Sequence, residues 1–215
     1  RKNKIIYVAH IHNNYIENLK NLRKNYKLAI FPYEYFLSGS DIIFSFIKLF
    51  LKKIKYNLKL NRLHFKTLNI NELSKTEINL TRFDFNHWIM FESIKNLVSK
   101  YKINKSILTY ENIAWENMYI SATRKYSPTT KIVGYQHTVV PKSAAGMFIN
   151  KDERKIKPLP DKILTTGIIN KKTIVKFSEY NKNFVFPACA LRFEHLKEIK
   201  TKKRKKIKNI LVALE

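Results

Sequence analysis

The sequence is poor in the residues that build several common kinds of site. It contains a single cysteine, Cys189, and only 4 glycines among 215 residues. One cysteine excludes an internal disulfide framework and a CxxC metal site. Neither GxGxxG nor GxxxxGK[ST] occurs, so a standard dinucleotide or P-loop site is not predicted. The single cysteine also favours a reducing compartment. No signal peptide and no apolar run of about 20 residues is visible, and a cytoplasmic location is expected.

Acidic residues are also scarce. The chain carries 16 Asp and Glu against 42 Lys and Arg, for a net charge of +26. Such an excess favours a polyanionic partner, which is a nucleic acid, an anionic membrane or a phosphorylated substrate. The alternative is a solvated basic surface produced by a coding bias towards Lys, Asn and Ile. The hydrophobic content of 45% is sufficient for a substantial core in either case.

Short apolar runs alternate with helical patterns along the chain. Strands are predicted at 5–9, 27–31, 105–110, 131–136, 162–167, 183–188 and 209–214. Helices are predicted at 13–24, 41–56, 86–101, 112–126 and 168–180, where apolar residues recur every three or four positions. Strand followed by helix, repeated, predicts an α/β fold with a Rossmann-like parallel sheet flanked by helices.

The composition changes sharply near the end of the chain. Residues 200–208, KTKKRKKIK, have no apolar side to bury and are predicted to form a basic linker. Residues 209–215 resemble the first strand of a second, truncated domain. The prediction is therefore an N-terminal domain over residues 1–199, in a chain that begins at Arg1 and is treated as a fragment.

Polar residues collect where the predicted strands end. His10 follows the first strand, Tyr110 and Glu111 follow the third, and Gln136 and His137 follow the fourth. Ligands of open parallel sheets bind at the carboxyl ends of the strands, so a carboxylate and an imidazole are expected in one cleft. Such a pair can perform general acid–base chemistry near neutral pH. The alternative for His137 is a buried histidine that donates to a backbone carbonyl.

The carboxylates near this edge have simpler alternatives as well. Glu111 is predicted at a helix N-terminus, where the helix dipole stabilises its charge by about 0.3 to 1 kcal/mol. Glu116 is a second candidate base, with a surface charge as the simpler interpretation. His10 and His12 share one strand face, yet no acidic residue or cysteine is close in sequence, so no metal site is predicted.

The segment 40–59 has the pattern of a basic amphipathic helix. Its apolar side consists of Ile43, Phe46, Ile47, Phe50 and Ile54, and its basic side of Lys48, Lys52, Lys55 and Lys59. This pattern suits an anionic membrane surface. The alternative is a helix that packs its apolar side on the core.

Four stretches together resemble a known group of proteins. They are YENIAWE (110–116), GYQHTVVP (134–141), PLPDKILTTG (158–167) and FPACALRFEHL (186–196). Their order and wording resemble bacterial surface-carbohydrate biosynthesis proteins, of the O-antigen and capsule kind, that look like GT-B glycosyltransferases. The resemblance covers roughly residues 105–196. It implies two Rossmann-like domains, the first for the acceptor and the second for the activated sugar.

The resemblance also implies roles for individual residues. His137 matches the histidine that acts as catalytic base in a QH context, although no glycine follows it here. Glu111 matches the position of the first-domain glutamate that serves as base with CMP-activated sugars. Gln136 is expected to hold an acceptor hydroxyl or the imidazole, and Arg192 to reach the donor phosphate or to form a surface ion pair. His10 and Tyr110 complete the predicted substrate-binding residues.

The resemblance thus implies a metal-independent glycosyltransferase. It would take a nucleotide sugar, and no covalently bound cofactor, and would extend a glycan or lipid-linked acceptor at the inner face of the cytoplasmic membrane. Two alternatives remain open, a basic nucleic-acid-binding module and a noncatalytic polysaccharide-assembly protein. Against the first, no RNP, KH, zinc or helix-turn-helix signature is found, so no specific nucleic acid is expected.

Overall fold

A computed structural model describes residues 5–11, 13–24, 28, 30–60, 64–65, 68–69 and 85–198. Three predictions lie outside these residues. They are the basic linker at 200–208, the truncated second domain at 209–215 with its strand, and the placement of His12 beside His10. They stay predictions.

The elements alternate between strand and helix for most of the described chain. The strands are β1 (Tyr7–Ala9), β2 (Ile30–Pro32), β3 (His64–Phe65), β4 (Leu68–Asn69), β5 (Lys105–Thr109), β6 (Lys131–Gln136), β7 (Lys162–Thr165) and β8 (Val185–Pro187). The α-helices are α1 (Tyr15–Lys24), α2 (Gly39–Leu60), α3 (Phe85–Lys100), α4 (Ala114–Tyr126), α5 (Glu153–Ile156) and α6 (Ile168–Phe177). The predicted α/β class is confirmed.

A four-stranded parallel sheet in the order β5-β6-β7-β8 forms the centre of the fold. Each crossover passes through a helical segment, as parallel strands require. Because the strands run in the same direction, their carboxyl ends meet at one edge. β1 and β2 form a separate parallel pair, and β3 and β4 a short antiparallel pair. The Rossmann-like prediction therefore holds, with helices against the sheet.

One face of the central sheet is buried, because every second side chain points into the core. Leu108, Ile132, Ile163 and Val185 occupy this face on the four successive strands. Gly134 lies beside this core, and a Cβ added there would come within 2.8 Å of Tyr110 Cβ and Cγ. The glycine is required by close packing rather than by backbone conformation.

A second core lies between α3 and α4, the two helices with the most extensive mutual contact. Met90, Ile94, Leu97 and Val98 of α3 are buried against Ala122 of α4. Tyr33, in the 3₁₀ turn after β2, is also buried in this core. The two cores share Trp115 and Tyr119 of α4 at their borders, so α4 connects the sheet to α3.

Several predicted boundaries shift by a few residues. The predicted strand 183–188 begins as a 3₁₀ turn, Lys182–Phe184, because the side chain of Asn181 accepts a hydrogen bond from Asn183 N at 3.0 Å. The short elements β3, β4 and α5 were not predicted. They contain two to four residues each, too few to show a period in the sequence.

The orientation of α2 corrects one of the two interpretations of segment 40–59. Most of its apolar side points away from the described core, and Phe46 and Phe50 remain more than half exposed, although the ring of Phe46 contacts that of Phe85 at 6.2 Å between centroids. The alternative that this side packs on the core is therefore wrong for the described residues. The side chain of Lys59 lies outside them. Within the described residues, no helix combines the length and apolarity needed to cross a bilayer.

Candidate functional site

Two neighbouring strands deliver a carboxylate and an imidazole to the same edge of the sheet. Glu111 follows β5 and His137 follows β6. The two strands stay paired up to the hydrogen bond that Tyr110 N donates to Tyr135 O, with an N–O distance of 2.9 Å. Nδ1 of His137 then lies 3.8 Å from Oε1 of Glu111. This distance fits an ion pair with a protonated imidazole and is longer than a hydrogen bond. The predicted pairing is thus present.

Thr138 fixes the carboxylate of this pair. Its Oγ1 donates a hydrogen bond of 2.7 Å to Oε1 of Glu111. The side chains of His137 and Glu111 are 39% and 35% exposed, so both reach solvent. Nδ1 of His137 is nevertheless buried and has no hydrogen-bond partner among the described residues, which leaves the exposed part of the ring on its other edges. The pair therefore has one side held by protein and one side open.

A tight turn before α4 positions Glu111. Asn112 adopts a left-handed conformation with φ of 63°, which asparagine tolerates better than most residues. Its Nδ2 donates to Gly146 O at 2.6 Å, which ties the turn to the loop after β6. The helix begins only at Ala114. Glu111 therefore precedes the helix by three residues, outside its first turn, and the prediction that it lies at the helix N-terminus is wrong.

Glu116 occupies that first turn instead, and it is buried. Its carboxylate accepts from Glu111 N at 3.0 and 2.9 Å and from Ile113 N at 3.1 Å. Burial raises the pKa of Glu116 to about 7, although these backbone amides oppose the rise. The interpretation of Glu116 as a surface charge is therefore wrong, since only 1% of the residue is exposed.

Gln136 organises the loop after β6 rather than facing a ligand. It is fully buried, and its Nε2 donates to Thr138 O. Its Oε1 accepts from N and Oγ1 of Thr166, both at 3.3 Å, at the end of β7. Asn170 extends this network by donating to Thr166 Oγ1 at 2.5 Å. The predicted contact of Gln136 with a substrate is not available in this arrangement, which instead fixes the backbone around His137.

Tyr110 is also buried, and this corrects its predicted role in substrate binding. Its hydroxyl lies 2.9 Å from the hydroxyl of Tyr180 and 3.5 Å from Asn112 Oδ1. Burial raises the pKa of both phenols, that of Tyr180 to about 12. Tyr110 therefore supports the Asn112 turn from inside the core.

Comparison with known proteins gives no further assignment. No protein-family model, curated protein or solved structure matches the chain.

His10 lies at the end of β1, next to the first turn of α4. Its ring packs edge-on against Tyr33 at 5.4 Å and Trp115 at 5.3 Å between ring centroids. Aromatic packing thus holds His10 at the end of β1. In the part of the chain that the structure describes, no group of three His, Cys, Asp or Glu side chains is placed to hold a metal ion.

Arg192 is exposed and lies on the 3₁₀ segment Leu191–Glu198 after β8. Its guanidinium stacks on the ring of Phe193, with 4.7 Å from Cζ to the ring centroid. No described carboxylate forms an ion pair with it, so the predicted surface ion pair is not found among the described residues. The segment is anchored nearby, because Tyr135 Oη donates to Cys189 O at 2.9 Å and accepts from Leu191 N at 3.0 Å.

A groove of about 840 Å³ lies elsewhere on the domain, between residues 148–154 and 175–182. None of its lining residues belongs to the Glu111–His137 pair. The pair, rather than this groove, is the candidate site, because it combines an imidazole, a carboxylate and convergent strand ends. The pair lies on an open surface.

Thr138, Thr166 and Asn170 were missed by the sequence analysis. Thr138 follows His137 directly in QHT, and a hydroxyl beside a candidate base is a weak but usable signal. Thr166 lies two residues before α6 and Asn170 lies in its first turn, so the two are four positions apart where the chain enters the helix. Only the register of β6 and β7 shows that they meet Gln136.

Proposed function

We propose that this chain is the acceptor-side domain of a GT-B-type glycosyltransferase, which transfers a sugar from a nucleotide-activated donor to a glycan or lipid-linked acceptor. The observation that carries the proposal is the 3.8 Å approach of His137 Nδ1 to Glu111 Oε1 at the carboxyl edge of a Rossmann-like sheet. The resemblance of residues 105–196 to surface-carbohydrate biosynthesis proteins supplies the reaction class.

His137 is the catalytic base in this proposal. An acceptor hydroxyl attacks the anomeric carbon of the donor, a new carbon–oxygen bond forms, and the bond to the nucleotide phosphate breaks with its electron pair on the phosphate oxygen. The hydroxyl proton passes to Nε2 of His137. A positioned base contributes about a hundredfold or more to the rate of such a step.

Glu111 acts on the charge that this step creates. The imidazole becomes a cation when it takes the proton, and Nδ1–H then faces the Glu111 carboxylate. Thr138 holds that carboxylate in place through its 2.7 Å hydrogen bond. The pair therefore stabilises the protonated base, as a carboxylate does behind a histidine in other acyl- and group-transfer sites.

The experiment uses the full-length protein and a panel of UDP-, GDP-, dTDP- and CMP-sugars with membrane lipid extract as acceptor. Release of nucleotide and transfer of labelled sugar are followed together. His137→Ala is expected to lower transfer by about a hundredfold or more, because it removes the base. Glu111→Gln keeps the shape and removes the charge, and is expected to lower transfer by about tenfold or more.

His195→Ala is the matched control, since His195 is exposed on the segment after β8. It should leave transfer and thermal stability unchanged. Transfer at wild-type rates in folded His137→Ala and Glu111→Gln proteins would contradict the proposed base. Salt-sensitive binding of nucleic acid without transfer of any sugar would favour the nucleic-acid-binding alternative instead.

A further inference from the structure

Helix α2 carries a continuous apolar surface on its outward side. At about 100° per residue, six large side chains fall within an arc of about 140°. They are Ile43, Phe46, Ile47, Phe50, Leu51 and Ile54, all exposed and four of them more than half exposed. An amphipathic helix of a globular domain normally turns such a face to the core. Here it is turned away.

The opposite side of α2 holds the helix to the protein. Ser45 is fully buried there. Nζ of Lys48 lies 2.6 Å from Oε1 of Glu92, a buried carboxylate of α3, and Nζ of Lys52 lies 4.3 Å from the ring centroid of Trp88. These contacts fix the rotation of the helix about its axis. The outward direction of the apolar arc is therefore a consequence of packing against α3.

Lysines border the arc on both sides. Viewed down the helix axis, Lys53 lies just outside Phe46 at one edge of the arc, and Lys55 lies just outside Leu51 at the other edge. Both lysines are exposed. The only acidic residue of α2 is Asp41, on the inward side, where it accepts from Asn96 Nδ2 at 2.9 Å. Lysine stems can extend along apolar side chains and place their ammonium groups at the height of lipid headgroups. The border thus complements anionic headgroups.

The composition of the arc favours a lipid surface over a protein partner. Its members are only Ile, Leu and Phe, and none carries a hydrogen-bonding group. Protein interfaces are enriched in Tyr, Trp, Phe, Met and Arg at their cores and form about one hydrogen bond per 100–200 Å². Of these residues the arc has only Phe, and it offers no group for the hydrogen bonds. The net charge of +26 adds a long-range attraction to an anionic surface.

We infer that α2 docks the protein on an anionic bilayer, lying in the plane of the interface. Phe46 and Phe50 insert at the boundary of the acyl chains, and Lys53 and Lys55 contact the headgroups. The helix lies on the membrane and does not cross it. This inference stands on the exposed arc and its lysine border, and it does not depend on the proposed transfer reaction.

The test is co-sedimentation of the full-length protein with vesicles. One set contains phosphatidylcholine alone, and the other equal parts of phosphatidylcholine and phosphatidylglycerol. Binding is expected to the second set. Lys53→Gln with Lys55→Gln should weaken it by about 10- to 30-fold, because each lysine near an anionic surface contributes about 1 kcal/mol. Phe46→Ser with Phe50→Ser should weaken it by about tenfold or more.

Matched controls remove the same groups elsewhere. Lys151→Gln with Lys172→Gln removes two exposed lysines, and Ile156→Ser with Ile169→Ser removes two exposed apolar side chains. Both pairs should leave binding within about twofold of wild type if α2 is the docking surface. Losses equal to those of the α2 variants would overturn the inference, because binding would then follow overall charge or apolarity.

A direct probe keeps the inference testable if a serine variant fails to fold. In Phe50→Trp, the added emission should shift to shorter wavelength on anionic vesicles and be quenched by brominated lipid, relative to the wild-type protein. Absence of both changes would overturn the inference. So would a concentration-dependent dimer that is lost in Phe46→Ser with Phe50→Ser and does not bind vesicles, since the arc would then pair with a second copy.

Discussion

Glu116 offers a test of the turn that holds Glu111, through the dependence of stability on pH. Its carboxyl has a pKa of about 7 in the folded protein, raised by burial from 4.5. Between these values the folded state binds more protons than the unfolded state, so the unfolding free energy falls as pH rises. The contribution is fully present below pH 4.5 and is lost above about pH 7.

The magnitude follows from the size of the pKa difference. One pKa unit corresponds to about 1.4 kcal/mol, so the loss across this window is at most about 3.5 kcal/mol. For a chain of this length it corresponds to a shift of about 7–14 °C in the midpoint of thermal unfolding. Glutamine does not titrate. The difference in unfolding free energy between wild type and Glu116→Gln therefore isolates the effect of this carboxyl. As pH rises, the unfolding free energy of wild type should fall relative to that of the variant.

The assay is thermal or urea unfolding of both proteins at several pH values across the window. Glu17→Gln is the matched control, because Glu17 is likewise the third residue of its helix and is exposed. Its difference from wild type should not change with pH. A constant difference for Glu116→Gln would refute the reasoning. An unfolding free energy of wild type that rises relative to that of the variant as pH rises would also refute it. The hydrogen bonds from the amides of Glu111 and Ile113 would then lower the pKa of Glu116 by more than burial raises it.

Two further substitutions test the packing that supports the site and α2. Gly134→Ala should lower the unfolding free energy by about 1–3 kcal/mol in urea denaturation, because the new Cβ would lie 2.8 Å from Tyr110, and retention of wild-type stability would contradict the close packing. Lys48→Gln should cost about 1–2 kcal/mol because it removes a partner of buried Glu92, whereas Lys55→Gln should cost nothing measurable in the same thermal scan. Equal midpoints for the two lysine variants would show that the ion pair is not formed in solution.

The pairing of Glu111 with His137 could be predicted from the sequence, because it depends on one rule of parallel sheets. Adjacent strands bring their carboxyl ends together whatever the details of the loops. The same reasoning misjudged Gln136 and Tyr110. A residue at the end of a strand points either into the core or into the cleft, and a shift of one residue exchanges the two.

The orientation of α2 and the burial of Glu116 could not be predicted for a different reason. A helical period separates two faces of α2 but does not say which one meets the protein, and that choice depends on Glu92 and Trp88 of α3, far away in sequence. Glu116 is buried because the Asn112 turn folds back over the start of α4. No pattern of neighbouring residues in the sequence predicts the contacts of α2 with α3 or the fold of the Asn112 turn over α4.

The sequential order of the central sheet has a consequence for how the chain folds. Each strand from β5 to β8 pairs with the strand just before it, so the paired residues are separated by only roughly 20–30 positions, which keeps contact order low for a parallel sheet. The sheet can therefore grow stepwise from β5, with a modest loop-closure entropy at each addition. The hydroxyl contact between Tyr110 and Tyr180 joins residues 70 positions apart. It closes a longer loop than any of the strand pairings, so its loop-closure entropy is larger, and it joins the end of β5 to the segment that precedes β8.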